Sequence, residues 1–396
     1  MTPLLGMLGP AAPRELFEYL APGTTPEALP PGRIGTPVNL LTRELLRRGQ
    51  RVVLFTLDPT LEQEVVLRGP LLTICAVPMR TNHPARDFFA AERRGLLNAV
   101  LREQPTLLHA QWTYEYALAA QASRLPTVVT AHDAPWSVLR HNPIPFRIAR
   151  TLMAYRVLSR APRIVAVAPY VATHLRRYML YRGSRLVIPN GMPASLFERA
   201  RASRVPTGRS VTFAATLIGW SGRKNGEALI EAFAQVAQRQ PEARLLIFGT
   251  GHGVGEPGER WARERGWSKG IEFVGQIRHA ELLDRLAAEV DVLVHPALEE
   301  AQPMALIEAM ALGIPVIAGR SSGGVPWTLD EGRAGLLVDV ENPSEIARAM
   351  LELIENAHKR EEWGAKGRRF AQERFHIAAV ADAWQTQYKE LETRGR

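Results

Sequence analysis

Two glutamates placed eight residues apart, Glu300 and Glu308, combine residue type and spacing in a way that suggests chemistry. Glu308 is the only charged residue between Met304 and Leu312, and a helix that is apolar all round is normally buried. A buried carboxylate is costly unless a polar group hydrogen-bonds to it, and a bound ligand could supply that group. The alternative is a glutamate on a helix face that is open to water.

The residues around this pair predict a strand, a loop and a helix in that order. The run 291–297 has the apolar character of a short strand that leaves the core. Pro303 suits the first turn of a helix, and Gly313 suits the residue just past its end. Glu300 then lies in the loop between strand and helix, where ligands of open α/β sheets bind. We therefore expect a ligand site at the end of this strand.

A second candidate is the glycine-rich segment Gly219–Gly226, which follows a predicted strand and precedes a predicted helix. Glycines let the backbone approach phosphate oxygens, and a helix N-terminus favours anions. Lys224 is the first of only five lysines among 49 basic residues, so a lysine here departs from the chain's preference for arginine. The segment predicts a phosphate contact, with a solvated turn lysine as the alternative.

The elements that must position these residues follow a regular alternation. Alternation of strands with helices predicts α/β architecture with parallel sheets and right-handed crossovers. Two such series predict two Rossmann-like domains, joined within the polar segment 200–209. Residues 1–31 are Pro-rich and are expected to form loops, whereas 361–388 reads as helical. The predicted strands lie near 51–57, 71–77, 106–110, 126–131, 163–168, 186–189, 210–216, 243–248, 271–275, 291–295, 315–318 and 335–338.

Length and composition describe a globular protein. The 396 residues favour two domains, and no run reaches the ~18–20 apolar residues of a membrane span. The N-terminus lacks the basic start and cleavage site of a secretory signal, so none is expected. The single cysteine, Cys75, lies in a strand-like run, which indicates inert packing and a reducing compartment. No Cys/His cluster has the spacing of metal ligands. These features predict a cytoplasmic protein.

The net charge of +9 is unevenly distributed. Residues 1–207 hold 26 arginines, no lysine and 13 acidic residues, for +13, whereas the remainder carries −4. No acidic residue lies between Asp133 and Glu198. An anionic membrane surface, an anionic acceptor such as a phosphorylated lipid or acidic glycan, and nucleic acid are the partners such a field attracts. No nucleic-acid motif is present, so none is expected as partner, and a merely solvated surface is the remaining alternative.

The pair Glu300 and Glu308 resembles the E-x7-E signature of retaining GT-B glycosyltransferases of the glycogen-synthase-like family 4, or glycosyltransferases group 1. The segments 322–326 and 335–338 resemble the family's "GGvP" and "Gllv" elements. The chain departs from the family pattern where Gly219 replaces an Arg, Asn225 a Gly and Trp327 a Glu. Two further departures are Pro303, which has no amide hydrogen to donate, and the N-terminal glycine loop, whose glycines are separated by Arg33 and Ile34.

The resemblance extends over most of residues 32–375 and implies the GT-B fold, in which two Rossmann-like parallel-sheet domains face an interdomain cleft. It places an acceptor-side domain at 1–203, joined by the C-terminal helix 377–396. A nucleotide-sugar-binding domain then covers 208–376.

The resemblance also implies roles for the site residues. Lys224 would hold the donor diphosphate, with Arg223 replacing the family's Arg, and Glu308 would accept hydrogen bonds from ribose hydroxyls. Glu300 would hold sugar hydroxyls and stabilise positive charge at the anomeric carbon, while His132, in a "T.Hd" element, would contact the transferred sugar. The predicted catalytic residues are Glu300, His132 and Lys224. The predicted donor-binding residues are Glu308, Arg223, Gly219, Gly222, Gly249, Gly251, Gln302, Met304 and Ala305.

Four residues are expected on the acceptor side: Gly35, His109, Trp112 and Tyr114. Gly35 belongs to the loop before the first predicted helix, and His109 ends a predicted strand, as His132 does. Trp112 and Tyr114 offer flat surfaces that suit a sugar ring or simply the core. A structural role inside the domain is likewise open for the histidines.

The implied reaction is transfer of a hexosyl group from a nucleotide-sugar to a hydroxyl of a glycan, lipid or small-molecule acceptor, with retention of configuration. No metal or cofactor is expected, because cationic side chains and helix dipoles would stabilise the leaving diphosphate. The membrane interpretation would place the protein on the inner face of the plasma membrane. The alternatives are a GT-B sugar-nucleotide epimerase and a catalytically silent relative that binds a glycan, lipid or membrane.

Overall fold

The computed structural model describes residues 3–199, 210–220 and 222–394, with only the backbone of Arg394 described. The chain forms two compact units, the first comprising Met1–Gly191 and Ile377–Arg396 and the second Met192–His376. The joint predicted at 200–209 lies outside the described residues.

The first unit is built on an eight-stranded sheet in the order β3-β4-β2-β1-β5-β6-β7-β8. All neighbours are parallel except β3 and β4, which run antiparallel. The α/β prediction is therefore confirmed for this unit. Its strands are β1 Leu5–Leu8, β2 Val52–Asp58, β3 Val65–Arg68, β4 Leu72–Pro78, β5 Leu107–Gln111, β6 Thr127–Ala131, β7 Arg163–Ala166 and β8 Ser184–Val187.

The expectation that residues 1–31 form loops is wrong for β1. This strand lies at the centre of the sheet, where Leu5 is opposite Val52 on one side and Leu107 on the other. All four of its residues are buried. A parallel strand buried on both faces has no polar alternation to reveal it, and a run of four residues near prolines is too short for its apolar content to stand out. The edge strand β3 was likewise not predicted.

Helices cover the sheet of the first unit, and the C-terminal helix is one of them. Val380, Trp384 and Tyr388 of that helix are buried in the same core cluster as Leu41 and Leu45 of the first helix. The C-terminal helix is thus part of this unit's core. The helices are α1 Thr36–Arg47, α2 Ala90–Glu103, α3 Glu115–Ala122, α4 Pro135–His141, α5 Pro145–Leu158, α6 Pro169–Arg177 and α15 Ile377–Arg394.

The second unit contains a six-stranded parallel sheet in the order β11-β10-β9-β12-β13-β14. Its strands are β9 Thr212–Thr216, β10 Arg244–Phe248, β11 Ile271–Gly275, β12 Val292–His295, β13 Val316–Gly319 and β14 Leu336–Val338. Its helices are α7 Ala194–Glu198, α8 Gly226–Arg239, α9 Pro257–Glu264, α10 His279–Glu289, α11 Met304–Ala311, α12 Val325–Thr328, α13 Pro343–Glu355 and α14 Ala357–Phe375. The predicted helical stretch 361–388 is two helices, because His376 has extended backbone angles and separates α14 from α15.

Each sheet contains one point where the strand order reverses. In the second unit the chain proceeds from β9 to β10 on one side, whereas β12 lies against the other side of β9. The loops after β9 and β12 therefore diverge and leave a crevice at the carboxyl ends of these strands, which is where ligands of such sheets bind. In the first unit the corresponding point lies between β1 and β5.

Candidate active site

The predicted catalytic carboxylate and lysine lie together in the second unit. One is in the loop after β12 and the other in the loop after β9, and these two strands are neighbours in the sheet. Lys224, in a 3-10 turn after β9, donates a hydrogen bond from Nζ to Oε1 of Glu300, which follows β12. Arg223 Nη1 lies 3.8 Å from the other oxygen of Glu300 and donates to the Glu299 carbonyl at 2.9 Å. Adjacent residues of one turn thus both reach the same carboxylate.

The surroundings of Glu300 keep it ionised. Its side chain is 14% exposed, as is that of Lys224. Burial opposes ionisation, but the charge of Lys224, the contact with His295 and the charge of Arg223 outweigh it and hold the pKa of Glu300 well below its ordinary value. His295 Nε2 lies 3.5 Å from Glu300 Oε1. The carboxylate is therefore available as an anion across the physiological pH range.

Asn225 fixes the distance between these loops. Its side-chain amide donates to the carbonyl of Pro296 at 3.1 Å, in the loop after β12, and to that of Val340 at 2.7 Å. The residue has left-handed backbone angles, with φ of 54°. Glycine and asparagine adopt this conformation most readily, which accounts for an asparagine where the resembling family has glycine.

The predicted donor-binding glycines allow close backbone packing beside the same turn. Gly249 has φ of 110°, and a Cβ on it would lie 2.0 Å from the carbonyl oxygen of Leu217. Gly251 also has positive φ, and a Cβ there would lie 2.8 Å from the amide of Trp220. The amide of Gly219 donates to the Thr250 carbonyl at 2.8 Å. These glycines thus bring the loops after β9 and β10 into contact. At Gly219, whose φ is 84°, and at Gly222, by contrast, a Cβ would meet open space, so the close packing depends on Gly249 and Gly251.

Glu308 lies inside α11, as predicted, and is 4% exposed, so the interpretation of a solvent-facing glutamate is wrong. Its Oε1 is 2.8 Å from Nε2 of His279, the first residue of α10. The polar partner that its burial requires is thus a histidine of the neighbouring helix, which is 35% exposed. The helix ends at Ala311, and Gly313, with φ of 74°, lies just past its end as predicted.

The N-terminal end of α11 carries the remaining predicted donor-binding residues. Gln302 is buried, whereas Met304 and Ala305, the first two residues of the helix, are partly exposed. The Glu300 carbonyl accepts a hydrogen bond from the Gly324 amide at 2.7 Å. A Cβ on Gly324 would lie only 1.8 Å from the Ala301 carbonyl oxygen, so the glycine pair before Val325 lets this segment support the Glu300 loop.

In the first unit, His132 directly follows β6 and Trp112 directly follows β5. Their rings stack with centroids 4.1 Å apart and an interplanar angle of 25°. Trp112 has φ of 65°, an uncommon and strained conformation for a bulky residue, of the kind that clusters at functional sites. Burial lowers the pKa of His132 to about 3, so its ring is neutral at physiological pH.

The other predicted acceptor-side residues are packed in the interior of the first unit. His109 is fully buried, and its Nδ1 lies 2.7 Å from the Tyr388 hydroxyl. Tyr114 is 2% exposed and donates to Asp133 at 2.8 Å. A Cβ on Gly35 would lie 1.8 Å from the Pro10 carbonyl oxygen, so this glycine allows close packing before α1. The geometry gives His109 and Tyr114 no open surface for an acceptor, and their predicted contact with one finds no support.

Two histidines that contact the donor-side glutamates were not predicted from the sequence: His295 lies beside Glu300 and His279 beside Glu308. His295 is the last residue of β12, the same type of position that singled out His132, so this signal was present in the sequence. His279 could not be found in this way, because its contact depends on how α10 and α11 pack.

In the parts of the chain that the structure describes, no group of three or more His, Cys, Asp or Glu side chains is arranged to hold a metal ion. No described helix is long and apolar enough to cross a membrane. Cys75 is buried, and burial raises the pKa of its thiol to about 12, as expected of a packing residue.

Comparison with known proteins identifies related sequences. The chain is 28% identical over 270 residues to a GDP-mannose-dependent monoacylated α-(1-6)-phosphatidylinositol monomannoside mannosyltransferase of Corynebacterium glutamicum, covering 64% of this chain and 66% of the relative. It is 29% identical over 222 residues to a D-inositol 3-phosphate glycosyltransferase of Corynebacterium jeikeium, covering 53% and 52%. The aligned part thus spans between about half and two thirds of these curated relatives.

Structural and family comparisons cover the chain more fully. The fold matches the sucrose-phosphate synthase of Thermosynechococcus elongatus with a TM-score of 0.80 at 21% identity, over 99% of this chain and 100% of that one. Residues 34–196 match the family model described as Glycosyltransferase Family 4, and residues 215–370 match that described as Glycosyl transferases group 1. The chain therefore belongs to the group 1 glycosyltransferases and has the GT-B fold.

Proposed function

We propose that this protein transfers a hexosyl group from a nucleotide-sugar to a hydroxyl of a glycan, lipid or small-molecule acceptor, with retention of configuration and without a metal. The observation that carries the proposal is the cluster of Glu300, Lys224 and Arg223 at the strand-order reversal of the second sheet. Family membership supplies the reaction class.

The charges of this cluster suggest how it acts on a nucleotide-sugar. Lys224 and Arg223 are the cations that would stabilise the leaving diphosphate, where most negative charge develops. Both lie against Glu300, so the diphosphate would replace that carboxylate as the partner of Lys224. Glu300 would then be released to hold sugar hydroxyls and to stabilise positive charge at the anomeric carbon, as in oxocarbenium-like transition states.

Glu308 and His132 complete the proposed roles. The buried carboxylate of Glu308 keeps one oxygen against His279, and its second oxygen would accept from the ribose hydroxyls. His132 would contact the transferred sugar through a neutral ring, because its pKa of about 3 precludes a charged one at physiological pH.

A binding experiment tests the donor site. UDP-, GDP-, ADP- and TDP-linked sugars are compared by thermal shift, since a ligand at a hundred times its Kd stabilises the native state by about 2.7 kcal/mol. GDP-mannose is the first choice, because one curated relative is GDP-mannose-dependent. One nucleotide series should raise the melting temperature of wild type but not of Glu308→Ala. Glu272→Gln, which removes a carboxylate on β11, is the control and should respond as wild type.

The reaction itself is tested with the donor so identified. The anomeric configuration of the product, read from its proton coupling constants, must match that of the donor. An inverted product would refute retention, and undiminished transfer by both Glu300→Gln and Glu308→Ala would refute the assigned roles. Conversion of the donor sugar without an acceptor would instead favour the epimerase alternative. Absence of any binding by folded protein would favour a silent relative.

We further propose that the acceptor is presented at, or resembles, an anionic lipid surface. In the first unit Trp136 donates from Nε1 to the Tyr155 hydroxyl at 2.7 Å, and that hydroxyl donates to the Tyr178 carbonyl at 3.0 Å. These contacts join α4, α5 and the end of α6 into one surface. Its large apolar side chains are between 43% and 66% exposed: Trp136, Ile144, Ile148, Leu152, Tyr178 and Leu180.

Arginines accompany this apolar surface. Arg140, Arg156 and Arg177 are exposed in the same three helices, within a stretch that has no acidic residue. Exposed apolar side chains with arginines are the composition of interfacial segments, and each basic residue near an anionic membrane contributes about 1 kcal/mol. One curated relative's name includes a phosphatidylinositol mannoside, which agrees with a lipid acceptor.

Vesicle sedimentation tests the membrane proposal. Vesicles containing an anionic phospholipid should sediment the wild-type protein at low salt, and less of it as salt rises. The double variant Ile148→Ser/Leu152→Ser should stay in solution, whereas the control Val254→Ser, which changes an 83% exposed valine of the second unit, should sediment as wild type. No sedimentation of wild type at low salt would end the proposal.

A further inference from the structure

A chain of buried polar side chains leads from His132 into the core of the first unit. His132 Nε2 lies 2.6 Å from Oε1 of Gln111, the last residue of β5. Gln111 Nε2 lies 3.0 Å from Nε2 of His109, and His109 Nδ1 lies 2.7 Å from the hydroxyl of Tyr388 on α15. His109 and Gln111 are two residues apart on one strand, so their side chains lie on the same face of the sheet.

The orientation of the Gln111 amide is fixed by a fourth contact. Gln111 Nε2 also lies 3.2 Å from the sulfur of Met7, on the adjacent strand β1. A thioether can only accept a hydrogen bond, so the nitrogen of the amide must face it. The two protons of this nitrogen then serve Met7 and His109, and the amide oxygen is left to face His132.

This orientation dictates where the His132 proton is. An amide oxygen only accepts, so His132 must carry its proton on Nε2. The amide nitrogen points towards Nε2 of His109, which also lies 2.6 Å from the Thr130 hydroxyl, a group that can donate or accept. Burial lowers the pKa of both histidines, which keeps each ring neutral with a single proton. The tautomer of His132 is therefore determined by Gln111.

Packing of the C-terminal helix holds the inner end of the chain. Trp384 lies over the His109 ring with centroids 4.0 Å apart, and Tyr388 is 4% exposed in the core. The outer end borders a small depression in the first unit, lined by His132, Gln111, Thr130, Pro37, Asn190 and Trp384. His132 is the one partly exposed member of the chain, and the residues behind it are buried.

We propose that Gln111 is a positioning residue that fixes His132 as the Nε2-protonated tautomer, so that Nδ1 can only accept a hydrogen bond, such as one from a sugar hydroxyl. Tyr388 and Trp384 of the C-terminal helix hold Gln111 in place through His109. This inference rests on the proposed function for the sugar contact, although the tautomer itself does not.

The tautomer is measured by 15N–1H NMR of protein labelled in its ten histidines, with His132→Gln identifying the signal of His132. Wild type should show a neutral His132 ring protonated on Nε2. Gln111→Met removes the hydrogen bonds of this amide at similar side-chain volume, and His132 should then appear as a mixture of tautomers. The control Thr42→Val changes a buried hydroxyl that makes no hydrogen bond within the described residues, and it should leave the wild-type signal.

Kinetics separates the positioning role from a purely structural one. Gln111→Met should lower kcat/KM for transfer by roughly tenfold to a hundredfold, by analogy with the loss of a group that orients a metal-ligating histidine. The melting temperature of Thr42→Val, with normal kinetics, provides the comparison for stability. A His132 ring protonated on Nδ1 in wild type, or one still fixed in Gln111→Met, would overturn the proposal.

Two kinetic outcomes are distinguishable from each other. If Gln111→Met releases the tautomer yet transfer is unchanged while His132→Gln impairs it, the positioning role is refuted. If His132→Gln itself transfers normally, the sugar contact assigned to His132 under the proposed function is refuted, and with it the functional meaning of the fixed tautomer.

Discussion

Replacing Glu300 by glutamine should strengthen the binding of a nucleoside diphosphate while it weakens transfer. Lys224 donates to Glu300, and the diphosphate must compete with this carboxylate for the lysine. Glutamine has the same shape and can still accept a hydrogen bond, but it carries no charge. The substitution therefore removes the competitor and keeps the lysine in place.

The magnitude follows from the burial of the pair. A hydrogen bond between charged groups contributes about 1.5–3 kcal/mol, and a fully exposed ion pair about 0–1 kcal/mol. Both side chains are 14% exposed, and Glu300 keeps His295 and Arg223 as neighbours, so the competition amounts to about 1–1.5 kcal/mol. Loss of this competition corresponds to about fivefold to tenfold tighter binding of the nucleoside diphosphate.

Isothermal titration with the nucleoside diphosphate of the preferred donor measures this effect. Lys224→Met should weaken binding. In that background Glu300→Gln should have little further effect, because the lysine for which the carboxylate and the diphosphate compete is absent. Transfer by Glu300→Gln should fall by about a hundredfold, because the charge that stabilises the developing cation is gone. Weaker binding to Glu300→Gln than to wild type, or additive effects in the double variant, would refute the reasoning.

Three further predictions concern single residues. The pKa of His132 is about 6.5 in the unfolded chain but about 3 in the folded protein. Its contribution to stability is therefore complete above about pH 6.5 and decreases as the pH falls. The melting temperatures of wild type and His132→Gln should converge towards lower pH, and parallel curves would contradict the assignment. Gly324→Ala should lower the melting temperature and weaken donor binding, because its Cβ would lie 1.8 Å from the carbonyl oxygen of Ala301; a normal thermal shift would show that this contact does not support the site. Cys75 should resist alkylation by iodoacetamide at pH 8 in the folded protein, since burial raises its pKa to about 12, and rapid mass addition without denaturant would contradict the burial.

The sequence predicted the elements that carry the site because each has a local signature. The loop of Lys224 and the loop of Glu300 each follow an apolar strand, and parallel strands place such loops at one edge of the sheet. Glycines and prolines fixed the helix boundaries around Glu308. The reversal between β9 and β12, which makes the two loops neighbours, was not visible, because strand order is decided by long-range packing.

Long-range packing also decides the surroundings of His109. It was expected at an acceptor because it was predicted to end a strand, but β5 continues to Gln111 and the ring is covered by a helix. Here α15 covers His109, and this depends on a helix more than 260 residues away in the sequence. Polarity along one strand cannot distinguish a histidine that meets a ligand from one that meets the hydroxyl of a distant tyrosine.

The basic residues of the first unit and those of the candidate active site act in different ways. The exposed residues Arg140, Arg156 and Arg177 of α4, α5 and α6 lie in a stretch without acidic residues, so their field attracts anions at a distance and is weakened by salt. Lys224 and Arg223, by contrast, are already in contact with Glu300, and Arg223 also with Glu299. A diphosphate that reaches them exchanges one anionic partner for another, which costs little reorganisation of the loops held by Asn225. Selectivity for the donor must then come from contacts beyond charge, of which the proposed ribose contact of the buried Glu308 is the clearest, because His279 already holds one of its oxygens and a ligand hydroxyl would bind the other.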